Sequence, residues 1–387
     1  MQHLFVTQDF LPDVSGEARR HVALARRYPE PMSVSTVSAR DAARHDSAEE
    51  YAISRQRFAR ERAGSFANRL RWQHWLTKRS RGRIHVLHAG DIDVAGRAVW
   101  RTHKRLGIPY VVYVSAGSIT RARRAESRSA RRVARLVLGD AAGIVATTDE
   151  AAAATRELMT LIGISQPPPV AALGLGTDPA LFGPGRDVGT LRARWGIRRA
   201  PIMLTVARLV PHKGQDTGIQ ALALLRQEFP NLRYVLVGEG SDEARLRNLA
   251  AELNVMDRVG FAGSMRDDEL PEAYATATIY LDASRSAPGI IRTGNAMSLI
   301  EAASAGLASL TSDAPATDSI VRNGETGITI DPIDPAGIAS AIASLLADPD
   351  MRRSMGMRGR ERVESHFNWN RVAHDTARFV RECVANG

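Results

Sequence analysis

The sequence predicts an α/β protein of two domains, each with a mostly parallel sheet covered by helices. Three observations carry that prediction. The chain has 387 residues, which is roughly two domains of ordinary size. Short apolar runs alternate with helical patterns along most of it, as parallel strands do when helices cross over between them. A stretch with neither pattern, "ALGLGTDPALFGPGRDVG" at 172–189, holds five glycines and two prolines, which is linker chemistry near the middle of the chain.

In chain order, "HLFVTQDF" reads as the first strand and "SGEARRHVALARRY" as a loop entering a helix. "RIHVLHAG", "PYVVYVSAG" and "GIVATT" are further strands, each followed by polar or helical sequence. Beyond the linker, "PIMLTVARL", "LRYVLVGEG", "DRVGFAG" and "ATIYLDA" are strands, with "GIQALALLRQEF", "DEARLRNLAAEL" and "AMSLIEAASAG" as helices. At the end, residues 369–383 place Trp369, Val372, Ala373, Thr376, Val380 and Cys383 on one helical face, so this tail is expected to dock. The expected division is 1–180, 186–365, and a C-terminal helix at 366–387 that packs back toward the first domain.

Composition excludes several classes. The chain is 44% hydrophobic and 24% charged, with one cysteine, Cys383. That leaves no intrachain disulfide and no thiolate metal site, and it fits a reducing, cytoplasmic setting. The start has neither the basic region nor the apolar length of a secretory signal, and no run approaches the roughly 20 apolar residues of a membrane span. Net charge is +10. Residues 1–185 hold 28 Lys/Arg against 17 Asp/Glu, and 186–387 hold 24 against 25. The basic first half suggests an anionic partner or a solvated face. Nucleic acid is not expected, since no known motif or regular aromatic spacing accompanies the arginines. Residues 51–83 carry ten Lys/Arg, one acid, and Phe66, Leu70, Trp72, Trp75 and Leu76. They suggest peripheral contact with an anionic membrane, although on a helical wheel the apolar residues spread over more than one face.

Of 52 Lys plus Arg, only Lys78, Lys104 and Lys213 are lysines. Lys213 stands in "VARLVPHKGQ", five residues after Arg208 and past the carboxyl end of a strand, where open α/β sheets bind ligands. A planar fork and a mobile ammonium at one strand end suit a diphosphate, or are two solvated loop charges. In "RTGNAMSLIEAASAG", Gly294 and Asn295 precede a helix whose amino terminus exposes N–H groups to an anion. Glu301 within it is an acceptor for paired sugar hydroxyls or an ordinary exposed glutamate. Gly16 lets backbone approach a phosphate. Asp13 and Glu17 follow the first strand; Asp91 and Asp93 follow "RIHVLHAG". The latter two have divalent-cation spacing but no further ligands, so no metal is expected. "VGEG" at 237–240 lacks a third glycine and fails as a dinucleotide fingerprint.

Taken in order, "GTDPALF", "VARLVPHKG", "LVGEGSDEARL", "VGFAGSMRDDELPEAYATA", "IEAASAG", "VRNGETGITIDPID", "LLADPDMRRSMG" and "FNWNRVA" resemble the retaining glycosyltransferases of family 4 over residues 172–380. The first half is similar more loosely, through "FLPDVSGEARRH" and "PYVVYVSAG". The resemblance implies the GT-B architecture: two facing Rossmann-like domains with the donor/acceptor cleft between them. It implies that Arg208 and Lys213 grip the donor diphosphate and carry catalysis, and that Glu301 holds the ribose. Gly16, Gly263, Thr293, Gly294 and Asn295 complete the donor site, and "VRNGETGITIDPID" is a hairpin. Asp13, Glu17, Asp91, Asp93 and Ser115 would face the acceptor.

The sequence departs from the family at Thr293, where a glutamate is usual, at Pro315 and Ala316 in place of glycines, at Ser319 in place of a glutamate, and at Ser115 in place of a histidine. The expected function is metal-independent, cofactor-free retaining transfer from a nucleotide sugar, UDP favoured, to a small soluble acceptor such as an aminocyclitol antibiotic precursor. The alternatives are a membrane-surface glycolipid as acceptor, or an inactive sugar-nucleotide-binding or regulatory protein.

Overall fold

The computed structural model describes residues 1–13, 15–123, 128–197, 199–285, 296–313, 317 and 319–385. They form two compact units. The first comprises Met1–Leu175 and the segment from Trp369; the second comprises Gly176–Pro288 and the segment ending at Asn368.

The first unit is built on seven strands: β1 (His3–Val6), β2 (Met32–Ser38), β3 (Ile53–Ala59), β4 (Val86–Ala89), β5 (Tyr110–Val114), β6 (Gly143–Ala146) and β7 (Val170–Ala172). They lie in the order β3-β2-β1-β4-β5-β6-β7, and all pairs are parallel. Strands covered on both faces must be apolar throughout. Accordingly, all five residues of "YVVYV" in β5 are buried, each apolar side chain contributing about 1.5–3 kcal/mol. Strand order reverses between β1 and β4, and ligands of open α/β sheets bind at the carboxyl ends beside such a reversal.

Sequence patterning misses β2 and β3. The polar "ISRQRFA" of β3 forms the sheet edge, where one flank is solvated, so it lacks the apolar run of an interior strand. The 51–83 stretch is therefore an edge strand followed by helices Arg60–Ala63 and Phe66–Ser80. The longer helix explains its two apolar faces: Trp72 and Leu76 are fully buried, while Phe66 and Leu70 are 69% and 43% exposed. The helix Trp369–Ala385 buries Trp369, Val372, Ala373, Thr376, Val380 and Cys383, packing on the Gly16–Arg27 helix and β6.

The second unit has six strands: β8 (Ile202–Val206), β9 (Arg233–Val237), β10 (Val259–Gly263), β11 (Ile279–Asp282), β12 (Ser309–Ser312) and β13 (Gly327–Ile330). Their order is β10-β9-β8-β11-β12-β13, again all parallel, with the reversal between β8 and β11. The expected hairpin at "VRNGETGITIDPID" is not one. β13 pairs in parallel with β12, and the residues before it form a tight turn closed by Gly324 N–H donating to Gly327 O at 2.8 Å.

Candidate active site

Because β8 to β13 run parallel, the loops after β8, β9, β10 and β11 share one edge of the second unit. The loop after β8 carries Arg208 and Lys213. It bends through the short turn Pro211–Lys213 into the helix Gln215–Leu224. Gly214, at φ +70°, makes that bend. A Cβ there would stand 1.9 Å from Ala283 O, so only glycine fits between this loop and the one after β11. Arg285 N–H donates to His212 O at 2.9 Å and joins the same two loops.

From the other side, the "VGEG" turn braces Arg208. Ala207 N–H donates to Val237 O (3.0 Å) and Leu209 N–H to Glu239 O (3.0 Å). A Cβ on Gly238 or Gly240 would lie about 2 Å from Ala207 O or Leu209 O, respectively. These glycines serve backbone approach within the protein, consistent with their failure as a dinucleotide fingerprint.

Arg208 is exposed and Lys213 half-buried. Gln215 Nε2 donates to Arg208 O at 3.0 Å, fixing the backbone from which the guanidinium projects. Burial lowers the Lys213 ammonium's pKa, the Asp282 carboxylate opposes that, and Arg208 adds to the lowering. Asp282 ends β11, is fully buried, and accepts from Ser284 N (3.1 Å) and Ser284 Oγ (2.5 Å). Below it, Asp216 is ion-paired with Arg285 and with Arg245 (3.1 Å).

Glu301 lies in the helix Ala296–Ser304 and is 4% exposed, not the surface glutamate of the simpler reading. Its Oε2 accepts from the buried Tyr274 hydroxyl at 2.7 Å, so tyrosine fixes the carboxylate's direction. Gly263 ends β10 at φ +68°, with Glu239 Oε1 as the nearest atom to a Cβ, at 3.9 Å. Thr293, Gly294, Asn295, Pro315 and Ala316 lie outside the described residues. Ser319 is described, and its carbonyl accepts from Arg362 Nε at 3.1 Å.

In the first unit, the loops after β1 and β4 flank the sheet's reversal and carry Asp13, Asp91 and Asp93. The two aspartates of "GDID" part company. Asp91 is buried and accepts from Ala95 N at 3.1 Å, whereas Asp93 is 74% exposed and pairs with Arg97 at 3.0 Å. Burial, helped by the Asp9 and Asp93 carboxylates, raises the Asp91 pKa to about 7. Asp91 lines a pocket of about 150 Å³ with Gln8, Asp93, Ser118 and Arg121. Asp13 is a loop brace, accepting from Ser15 N (2.9 Å), Ser15 Oγ (3.1 Å) and Arg60 Nη1 (2.6 Å).

Gly16 opens its helix after the Ser15 cap. A Cβ there would meet nothing within 4 Å, so packing within the protein does not demand glycine. Beside it, burial pushes the Glu17 carboxyl up, but Arg20 (2.8 Å), His21, a bond from Ser115 and Arg121 together hold it below its usual range. Ser115 and Glu17 are thus brought together. Arg20 is buried behind them, with its guanidinium 5.9 Å from the Tyr113 ring. Burial keeps His21 neutral, with a pKa near 4, bonded to Asp9 O at 3.0 Å. Sequence patterns single out none of Asp282, Tyr274, Arg20, His21 and Arg121: Arg20 and His21 lie one helix turn from Glu17, and the others reach their partners only through the fold. Among the described residues, no group of three or more His, Cys, Asp or Glu is placed to hold a metal ion. None of the described helices is long and apolar enough to cross a membrane.

Two Rossmann-like parallel-sheet units define the GT-B fold, and comparison with solved structures agrees. Anabaena HepE in complex with UDP and glucose has a TM-score of 0.76 at 19% identity, covering 98% of this chain and 99% of that one. Residues 187–362 match the family model described as "Glycosyl transferases group 1". Among curated proteins, the chain is 33% identical over 192 residues to a GDP-mannose-dependent alpha-(1-6)-phosphatidylinositol monomannoside mannosyltransferase of Mycobacterium tuberculosis, covering 49% of this chain and 50% of that protein. It is 32% identical over 266 residues to a D-inositol 3-phosphate glycosyltransferase of Acidothermus cellulolyticus, covering 65% and 57%. The chain spans about half the length of the curated relatives it matches.

Proposed function

We propose that this chain is a retaining, family 4-type glycosyltransferase that moves a sugar from a nucleoside-diphosphate donor to a hydroxyl of a lipid-linked acceptor at an anionic membrane surface. The observation that carries the reading is the pair Arg208 and Lys213, set at the strand-order reversal of the second unit and braced on both sides. Two cations there suit a diphosphate leaving group. As the anomeric C–O bond to phosphate breaks, charge grows on the diphosphate, and Lys213 and Arg208 stabilise it most at that point. The acceptor oxygen bonds to the anomeric carbon on the face the nucleotide leaves, and the departing phosphate oxygen takes its proton. Glu301, aimed by Tyr274, receives the ribose hydroxyls. By resemblance to the family, Gly16, Gly263, Thr293, Gly294 and Asn295 are assigned to the donor. Glu17, Ser115 and Asp91 line the acceptor side, with Asp13 and Asp93 in supporting positions. The same cations make a metal unnecessary.

A lipid-linked acceptor is supported by the mannosyltransferase relative, whose name carries phosphatidylinositol monomannoside. It is also supported by the Phe66–Ser80 helix, which exposes Phe66 and Leu70 in a segment where Arg62, Arg71, Lys78 and Arg79 are exposed as well. The longer match to D-inositol 3-phosphate glycosyltransferases favours a second reading, a soluble phosphorylated polyol. Nothing in the comparisons points to an antibiotic precursor. UDP is the preferred nucleotide and GDP its rival. The test is a panel of UDP- and GDP-sugars against phosphoinositide vesicles and soluble inositol phosphates, read by mass spectrometry. A glycosylated lipid is expected. Product only from soluble polyols would select the second reading, and donor binding without product would select the inactive one.

A further inference from the structure

Lys213 does not meet the solvent alone. Its loop and the loop after β11 are in backbone contact at Gly214 and Ala283, and the Arg285 N–H to His212 O bond stitches them together. Asp282, at the start of that second loop, is fully buried and held by two donors from Ser284. A buried carboxylate is costly to ionise, and a neighbouring cation offsets that cost. We infer that Asp282 is the counter-ion of Lys213, a positioning residue that holds the ammonium at the strand-order reversal until a donor diphosphate arrives.

The surrounding charges support the assignment. Of those acting on Lys213, Asp282 favours the ammonium and Arg208 opposes it. His212, from the same loop, is kept toward neutrality by burial and by both cations. Asp216 is committed to Arg285 and Arg245. The nearby phenols of Tyr234 and Tyr280 are held neutral by burial. The arrangement also gives a reason for lysine in an arginine-rich chain: a compact ammonium has three rotatable donors and can pass from Asp282 to phosphate oxygens without losing its charge.

The inference rests on the donor-site reading above, and one experiment separates the two. With only three lysines in the chain, protein labelled at lysine ¹⁵Nζ gives three amine signals, and Lys213→Arg assigns the one of interest. In the wild type, Lys213 should titrate below the ordinary lysine value. In Asp282→Asn its midpoint should fall by a further unit or so, the direction set by losing an anionic neighbour. An unchanged midpoint overturns the inference. If Asp282→Asn does not fold, ¹³Cγ-labelled aspartate in the wild type tests the same point: Asp282 should show a step at the Lys213 midpoint, and its absence overturns the pairing. UDP and GDP added to the wild type test the underlying reading separately. Their failure to move the Lys213 signal sinks the donor site, whatever Asp282 does.

Discussion

In the proposed reading, the chemistry turns on Arg208 and Lys213, and removing either cation deletes a donor that would act most strongly as the diphosphate departs. Arg208→Ala and Lys213→Ala should therefore each lower turnover by roughly 10²-fold or more. Single-turnover assays check this, and near-normal rates in both variants would contradict the assignment. Asp91 makes a different prediction. Its pKa rises from 3.8 to about 7 on folding, so between those values the native state keeps a proton that the unfolded chain has released. Stability contributed at this site is thus lost as pH climbs through that window. Asp91→Asn removes the penalty while keeping an oxygen for Ala95 N–H. It should stabilise the fold at pH 8 by at most about 4 kcal/mol and leave it unchanged near pH 4. Denaturant midpoints at both pH values measure this. Equal shifts at both would show that Asp91 is not a raised carboxyl.

At the scale of elements, the Phe66–Ser80 helix serves two surfaces. Its inner face is fixed by Trp72, whose Nε1 donates to Ser35 Oγ at 2.9 Å, and by Leu76. Elsewhere on it Phe66 and Leu70, four residues apart, are exposed, as are Arg71, Lys78 and Arg79. Cations near an anionic leaflet contribute about 1 kcal/mol each. Vesicles containing phosphatidylinositol should therefore retain the protein at low salt and release it at high salt, and Phe66→Ser with Leu70→Ser should weaken retention while leaving turnover on a soluble acceptor intact. Equal retention by neutral vesicles would contradict an electrostatic docking face. The same helix shows where sequence reading stops. A wheel shows two apolar faces but not which one meets a core. β3 was invisible because an edge strand alternates polar residues, whereas β5 and β8 were legible from their unbroken apolar runs. "VARLVPHKG" and "IEAASAG" were legible because their chemistry is local. Asp282 and Tyr274 were not, since each matters only through a partner brought near by the fold, and Arg20 was not because its pair with Glu17 is an ordinary i, i+3 helix contact.

For the whole molecule, two parallel sheets, each with one reversal, provide two strand-end regions of different character: the loop with Arg208 and Lys213 in the second unit, and in the first the carboxylates Asp9, Asp13 and Glu17, paired with Arg60 and Arg20, together with Asp91. With the diphosphate charge assigned to side chains, as proposed, turnover should persist in excess EDTA. Activity lost there and restored only by Mg²⁺ or Mn²⁺ would contradict this. The central claim, transfer with retention at a side-chain diphosphate site, is tested most directly by the stereochemistry of the product. An α-linked nucleotide sugar should give an α-glycoside as the first product seen by proton NMR, with nucleoside diphosphate released in equal amount and both signals lost in Lys213→Ala. A β-glycoside, or product formation undiminished in that variant, would contradict the account.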